Sequence, residues 1–428
     1  MIFQRVKGSY DIIPGAREIW KDSASWQWIE GIIRELSEIY GFHEIRLPIF
    51  EHTNVFVRGV GDESDIVSKE LYTFCDKAGR SLSLRPELTS SIVRAYVENH
   101  LQYTTQERFF YFGPCFRYDR MQRGRFRQFC QFGAEHFSRK DPFVDAEMID
   151  FLVNFYRILG FKEEEWTLRI HFLGNRETRE VYAEVLRKFF LPEAHNLSED
   201  SRRRMKVNPL RIFDSKEEND CRLLAEAPKM IDFLMEQERE YFHFVLKILE
   251  DLKISYIVDE KLVRGLDYYC GIVFEIIDSS DFASQNALGG GGRYDGLVRA
   301  FGGKDISGIG FAVGLERTLQ FLEKKDRIFC KTKNPLIYFL PLCEEAKGIC
   351  FSFLREMRRG GKIALLHIGE LNVKKGLRAA SRKQSKYVLL LGEREISEKR
   401  LIIKNLFNGD ELKLSMDDQL VHYLLQLM

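Results

Sequence analysis

Phe116-Arg117-Tyr118-Asp119-Arg120-Met121-Gln122-Arg123-Gly124-Arg125-Phe126-Arg127-Gln128-Phe129 places five arginines within eleven residues of a chain that is otherwise balanced in charge, with 65 Lys and Arg against 64 Asp and Glu in 428 residues. Aromatic-rich sequence flanks it on both sides, so the segment from Arg108 to Phe137 reads as two strands joined by a basic loop. Side chains alternate along a strand. If the second strand runs from Arg125 to His136, then Arg125, Arg127, Phe129, Gln131, Gly133 and Glu135 share one face. That face offers cations at the loop end, an amide in the middle and a carboxylate beyond, with Gly133 leaving floor space between Gln131 and Glu135. It suits a ligand with phosphates at one end and a cationic or hydrogen-bond-donating group at the other. The plainer alternative is a surface hairpin decorated with arginines, which are at home on a surface.

Working outward, Ile29, Ile32, Ile33, Leu36, Ile39 and Tyr40 recur at helical spacing, which predicts a helix from about Ala16 to Tyr40, closed by Gly41. Glu44 to Phe50 reads as a strand, and Pro48, lacking an N–H, assigns it to a sheet edge or an interface. Shorter strands are expected at Leu71–Phe74 and Ser81–Leu84. Asp141-Pro142 opens a helix that ends at Gly160. Residues 172–255 read mostly as polar helix, with Arg202, Arg203 and Arg204 clustered. From Leu262 to Phe311 the chain reads as strands and glycine-rich turns, followed by a helix from Leu315 to about Glu323.

Four further runs are rich in functional groups. Leu84-Arg85-Pro86-Glu87-Leu88-Thr89 stands at a helix start, where it serves either as a cap or as a ligand contact. Arg264-Gly265-Leu266-Asp267-Tyr268-Tyr269 gathers donors and acceptors in one turn. The glycines of Gly289-Gly290-Gly291-Gly292-Arg293-Tyr294 let backbone approach a ligand closely. Gly308-Ile309-Gly310 clears one face of a strand, and Arg317 falls in the first turn of the following helix. A helix N-terminus favours anions, so an arginine there needs another reason, such as a ligand.

The polar residues 329–334 read as a linker. Beyond it, short apolar strands alternate with helices, predicting a separate α/β domain over 335–428. This part has 16 Lys and Arg against 11 Asp and Glu, leaving 49 against 53 in the remainder. Lys374, Lys375, Arg378 and Arg382 lie near one face of a helix, either a solvated face or a surface for phosphates.

Other classes are disfavoured. No apolar run approaches the ~18 residues that span a bilayer, and the N-terminus has no apolar signal region. Eight scattered cysteines without a C-x-x-C pair fit reduced thiols in a cytoplasm. No metal-ligand spacing, phosphate-loop lysine motif or dinucleotide fingerprint is present.

Taken together, these runs resemble the histidyl-tRNA synthetase family, within the class II aminoacyl-tRNA synthetases, over nearly the whole chain. Lys7 to Gly15 resembles the family's opening, Tyr40 to Ile49 its motif 1, Phe116 to Glu135 its motif 2, and Gly308 to Arg317 its motif 3. Leu84–Thr89, Arg264–Tyr269 and Gly291–Tyr294 resemble runs specific to the histidine family. The resemblance implies a catalytic α+β domain over 1–328, built on a mainly antiparallel sheet with a helical insertion at about 172–255. A C-terminal α/β anticodon-binding domain would occupy 335–428. It implies activation of L-histidine by ATP with Mg²⁺, transfer to tRNA(His), and a homodimer paired through the motif 1 strand.

By the same resemblance, Arg117 and Arg264 are the catalytic cations, and Arg117, Asp119, Arg125, Arg264 and Arg317 bind ATP. Glu87, Leu88, Thr89, Gln131, Glu135, Tyr268, Tyr269 and Tyr294 bind histidine. Gln122, Arg123, Lys374, Lys375, Arg378 and Arg382 would meet tRNA. No residue is assigned to a metal. The chain departs from the family pattern at Asp119, where Glu is usual, at Met121, where Pro is common, and at Leu88, where Gly is frequent. Two alternatives remain at this point: a histidine-binding regulatory paralogue of an ATP phosphoribosyltransferase, and an RNA-binding or histidine-sensing module without chemistry.

Overall fold

The structure is a computed structural model that describes residues 3–61, 64–104, 107–119, 124–279, 287–327, 336–417 and 420–426. The chain divides into two compact units, Met1–Cys330 and Lys331–Met428.

The strands of the first unit are β1 (His43–Glu44), β2 (Phe50–His52), β3 (Thr73–Cys75), β4 (Ser81–Leu84), β5 (Arg108–Phe116), β6 (Gln128–Ser138), β7 (Trp166–Phe172), β8 (Ile257–Val258), β9 (Cys270–Asp278), β10 (Ala287–Arg293) and β11 (Ser307–Gly314). Eight of them form one sheet in the order β1-β5-β6-β11-β10-β9-β7-β8. The two outermost pairs, β1 with β5 and β7 with β8, are parallel, and every pair between them is antiparallel. β2, β4 and β3 form a small antiparallel sheet.

Alternation along β6 sorts the molecule into its two sides. Phe132 and Ala134 point into the core, where Phe132 meets Phe151 and Phe155 of the helix Pro142–Ile158. Gln131, Gly133 and Glu135 face the other way. The long helix is started by Asp141, whose side chain accepts from the Phe143 N–H at 2.8 Å, with Pro142 in the first turn.

Three expectations are revised. The N-terminal helix runs over Ser23–Ile39, capped by Asp22, and is preceded by a separate 3-10 turn at Ile19–Lys21. Glu44 to Phe50 is not one strand: only His43–Glu44 and Phe50–His52 pair. Between them the Leu47 and Pro48 carbonyls accept from the Arg85 guanidinium at 2.9 and 3.1 Å, so a side chain takes the place of a ladder. Gly289 to Gly292 is no turn but the middle of β10, inside the sheet. A Cβ on Gly291 would stand 1.9 Å from the Gly310 carbonyl oxygen, and one on Gly290 2.5 Å from that of Phe274.

The insertion is helical, with helices Arg176–Phe190, Glu199–Val207, Glu218–Ala225 and Glu236–Asp251 and short 3-10 turns at Pro209–Asp214 and Met230–Phe233. It shares the main core, since Tyr182, Leu186, Phe242 and Val245 are buried in one cluster with Ile170 and Phe172 of β7.

The second unit has a five-stranded sheet, β12 (Ile337–Pro341), β13 (Ala364–Leu366), β14 (Tyr387–Leu391), β15 (Arg400–Asn405) and β16 (Glu411–Ser415), ordered β13-β12-β14-β15-β16. The first two pairs are parallel and the last two antiparallel. Helices Glu344–Arg359 and Leu420–Gln426 cover the core around Phe339, Cys350, Leu354 and Leu389. Among the described residues, no helix is long and apolar enough to cross a membrane.

Candidate active site

A cavity of about 1270 Å³ opens on the face of the main sheet that carries Gln131 and Glu135, walled by the insertion and the loop 262–269. Its floor is backbone. Gly133 pairs with Tyr111 on one side and Ala312 on the other, and Gly310 pairs with Glu135 and Gly292. A Cβ on Gly310 would stand 1.7 Å from Glu135 Oε2, and one on Gly133 2.3 Å from the Tyr111 hydroxyl. No side chain fits at these two positions.

On the same face as the cavity, Glu135 is 1 % exposed. Its Oε1 accepts from Thr89 Oγ1 at 2.6 Å and from the Tyr111 hydroxyl at 3.5 Å, and its Oε2 accepts from the Tyr294 hydroxyl at 2.6 Å. Burial outweighs these donors and pushes the Glu135 carboxyl up to about 8, with the negative Glu87 adding to the shift. Glu87 accepts from the Thr89 and Ser90 N–H groups at 2.6 and 2.9 Å, so it caps the helix Thr89–Glu98 while lining the cavity. Gln131 Oε1 accepts from Cys115 Sγ at 3.3 Å. The Tyr268 and Tyr269 rings lie tilted against each other at 4.6 Å, and Tyr268 meets Tyr294 edge-on at 5.7 Å.

Arg117, Arg125, Arg264 and Arg317 also line the cavity, together with carboxylates such as Asp119, Glu275 and Glu316. Arg117 Nε donates to the Pro86 carbonyl at 2.9 Å, and its guanidinium lies 5.2 Å from the Phe129 ring centre. Arg125 pairs with Asp119 at 2.7 Å. Arg264 pairs with Glu275. Arg317 donates to the Gly124 carbonyl at 3.2 Å and to the Ala287 carbonyl at 2.8 Å. Burial, reinforced by the neighbouring Arg125 charge, lowers the Arg317 pKa. Four guanidiniums in one cavity suit a ligand with anionic groups.

The structure thus brings together Glu87, Thr89, Arg117, Asp119, Arg125, Gln131, Glu135, Arg264, Tyr268, Tyr269, Tyr294 and Arg317. Leu88 departs from its expected place: it is 2 % exposed and packs with Ile92, Val93 and Tyr96, away from the cavity. An apolar side chain at a helix start turns toward the core that covers it. Gln122 and Arg123 lie outside the described residues. Lys374, Lys375, Arg378 and Arg382 belong to the other unit, exposed on the helix Val373–Arg382 while Gly376 and Ala380 are buried.

Two functional groups were missed from sequence. Tyr111 was findable, because it sits opposite Gly133 in the hairpin register. Glu316 was not. It lines the cavity, 2 % exposed, and accepts from the Tyr10 hydroxyl and from the Cys130 N–H at 2.6 Å. Burial raises its carboxyl to about 7.

A mainly antiparallel sheet with arginines and a buried carboxylate gathered at its site, in a chain that also has a separate α/β unit, is the architecture of a class II aminoacyl-tRNA synthetase. Residues 20–318 match the family model described as histidyl-tRNA synthetase. A histidine--tRNA ligase from Protochlamydia amoebophila is 41 % identical over 420 residues, covering 98 % of each chain. One from Oceanobacillus iheyensis is 42 % identical over 427 residues, covering 99 % of this chain and 97 % of its own. The crystal structure of apo S. aureus histidyl-tRNA synthetase superimposes with a TM-score of 0.82 at 32 % identity, covering 99 % of this chain and all of that one. The chain belongs to the histidyl-tRNA synthetase family and is a ligase that activates histidine and charges tRNA with it.

Proposed function

We propose that both half-reactions proceed in the 1270 Å³ cavity, with histidine at the Glu135 end and ATP at the arginine end. A histidine carboxylate oxygen attacks the α-phosphorus of ATP. The new O–P bond forms as the bond to the bridging oxygen breaks, and pyrophosphate leaves with that electron pair. Nucleophile and target are both anionic, and negative charge grows on the phosphoryl oxygens. Arg117 and Arg264 are suited to offset it from two sides, and Arg125 and Arg317 to hold the outer phosphates and the adenine. In the second step the terminal ribose hydroxyl of the tRNA attacks the histidyl carbonyl carbon, the bond from that carbon to the phosphate oxygen breaks, and AMP departs with the electron pair while its phosphate takes up the hydroxyl proton.

Glu135, Tyr269, Tyr268 and Tyr294 read the imidazole, and Glu87, Thr89 and Gln131 hold the α-amino group. A site that hydrogen-bonds both ring nitrogens rejects an analogue lacking one by roughly 10⁴–10⁵. The observation that supports this reading above others is that Thr89 and Tyr111, which donate to the buried Glu135 carboxyl, line the same cavity as four arginines. Among the described residues no group of three or more His, Cys, Asp and Glu side chains is placed to hold a metal. Magnesium fits as a companion of the ATP phosphates.

The homodimer reading is supported by β1, an edge strand, and by the exposure of Ile39, Ile49 and Phe50 nearby. The basic face of Val373–Arg382 supports an anticodon-binding role for the second unit. Free cysteines fit a cytoplasm.

The test is ATP–pyrophosphate exchange with each of the twenty amino acids, without tRNA. The expected result is exchange with histidine alone, falling about 10²–10³-fold in Arg264→Ala while tRNA binding persists. Exchange with another amino acid, or none at all, refutes the assignment.

A further inference from the structure

We propose that the helical insertion sets the position of the catalytic loop 262–269, and that Arg211 and Asp267 form the positioning pair that places Arg264. This deepens the functional reading above and rests on it.

Residues 264–269 have neither helix nor strand to hold them. Arg264 itself is held by Glu275, and its Nε has no partner among the described residues. Its placement therefore depends on what fixes the loop backbone. Those restraints come largely from the insertion. Arg211 is 7 % exposed and sits in the 3-10 turn Pro209–Asp214. Its Nε donates to Asp267 Oδ1 at 2.8 Å and its Nη2 to the Gly265 carbonyl at 3.0 Å, so one guanidinium spans the loop. Asn208 donates to the same Asp267 oxygen at 2.9 Å. Arg179, on another helix of the insertion, donates to the Tyr269 carbonyl at 2.6 Å.

The clamp is anchored in turn. Arg204 donates to the Arg211 carbonyl at 3.3 Å and pairs with Asp65, outside the insertion, at 3.1 Å. On the far side the Asp267 N–H donates to the Val60 carbonyl at 3.2 Å. Arg211, Arg264, Gly265, Leu266, Tyr268 and Tyr269 line the cavity while Asp267 does not. Asp267 thus turns its back on the substrate and acts through its neighbours. A displacement of about 1 Å in a catalytic group costs about 10²-fold in rate.

The experiment measures kcat and KM of histidine-dependent exchange in the full-length protein for Arg211→Ala, Asp267→Ala, their double variant, Arg211→Lys and Asp267→Asn. Each alanine variant is expected to lose about 10²-fold in kcat with KM for ATP within about twofold. The double variant should be no slower than the worse single one, since both break the same link. Arg211→Lys keeps the charge but cannot fork onto both acceptors, and Asp267→Asn keeps the oxygen but not the charge; each should lose about tenfold. If an alanine variant fails to fold, these two decide. An active unmodified chain whose Arg211→Lys and Asp267→Asn variants keep its kcat overturns this inference alone, as do losses that multiply in a folded double variant. An unmodified chain without histidine-dependent exchange overturns the functional reading, and this inference with it.

Discussion

Replacing Glu135 by Gln separates what the site costs the fold from what it does for the reaction. The Glu135 carboxyl is raised from 4.5 to about 8 in the folded chain. The folded state thus holds this proton more tightly than the unfolded state does. The associated stability is complete below pH 4.5 and is lost as pH climbs through about 8. At about 1.4 kcal/mol per pH unit, the forfeit across that window is about 5 kcal/mol. Glutamine fills the same space without titrating, and the Thr89 and Tyr294 hydroxyls can turn to accept from its amide. The unliganded Glu135→Gln variant is therefore expected to gain on the unmodified protein steadily from pH 5 to pH 8, while histidine-dependent exchange collapses. Urea unfolding followed by tryptophan fluorescence reads the first unit cleanly, because Trp20, Trp26, Trp28 and Trp166 all lie in it. A difference between the two proteins that stays constant with pH would refute the reasoning.

Three further outcomes are expected. Gly310→Ala drives a methyl into Glu135 Oε2, so stability should fall by about 1–3 kcal/mol and KM for histidine should rise at least about tenfold; unchanged KM in exchange assays would mean the floor yields. Arg293→Met strands Asp145, since the two form an ion pair in which neither is more than 1 % exposed, and should cost about 3–5 kcal/mol by denaturant unfolding. Adding Asp145→Leu should restore much of it, and a double variant as unstable as the single would contradict this. Reversing charge at Lys374, Lys375, Arg378 and Arg382 together should raise the aminoacylation KM for tRNA at least about tenfold and leave pyrophosphate exchange untouched; an unaltered KM removes this helix from the tRNA surface.

The hairpin β5–β6 was legible because its pattern is local. A period of two fixes which residues share a face, and the Gln131–Gly133–Glu135 stripe lies where that period puts it. Helix ends were legible for the same reason: Gly41 and Gly160 both take positive φ just past the helices they close. The glycine run 289–292 was misread because glycine ordinarily weakens a strand. Here the sheet needs its absence of side chain, a requirement set by β9 and β11, which lie elsewhere in sequence. β7 escaped because its polar neighbours resemble the helices that follow. The clamp on the catalytic loop joins residues more than fifty positions apart, and no local pattern announces such a contact. Leu88 was placed by the family resemblance, where Gly is frequent, and its own apolar chemistry sent it to the core.

The backbone floor has a consequence for how this pocket can change over generations. At Gly133, Gly290 and Gly310 the side chain has already been reduced to a hydrogen. A point mutation there can only add atoms. The space on that side of the sheet is thus at its maximum, and random substitution at these positions can shrink it but never enlarge it. Drift toward a bulkier substrate is closed at the floor and would have to begin at the tyrosines of the walls.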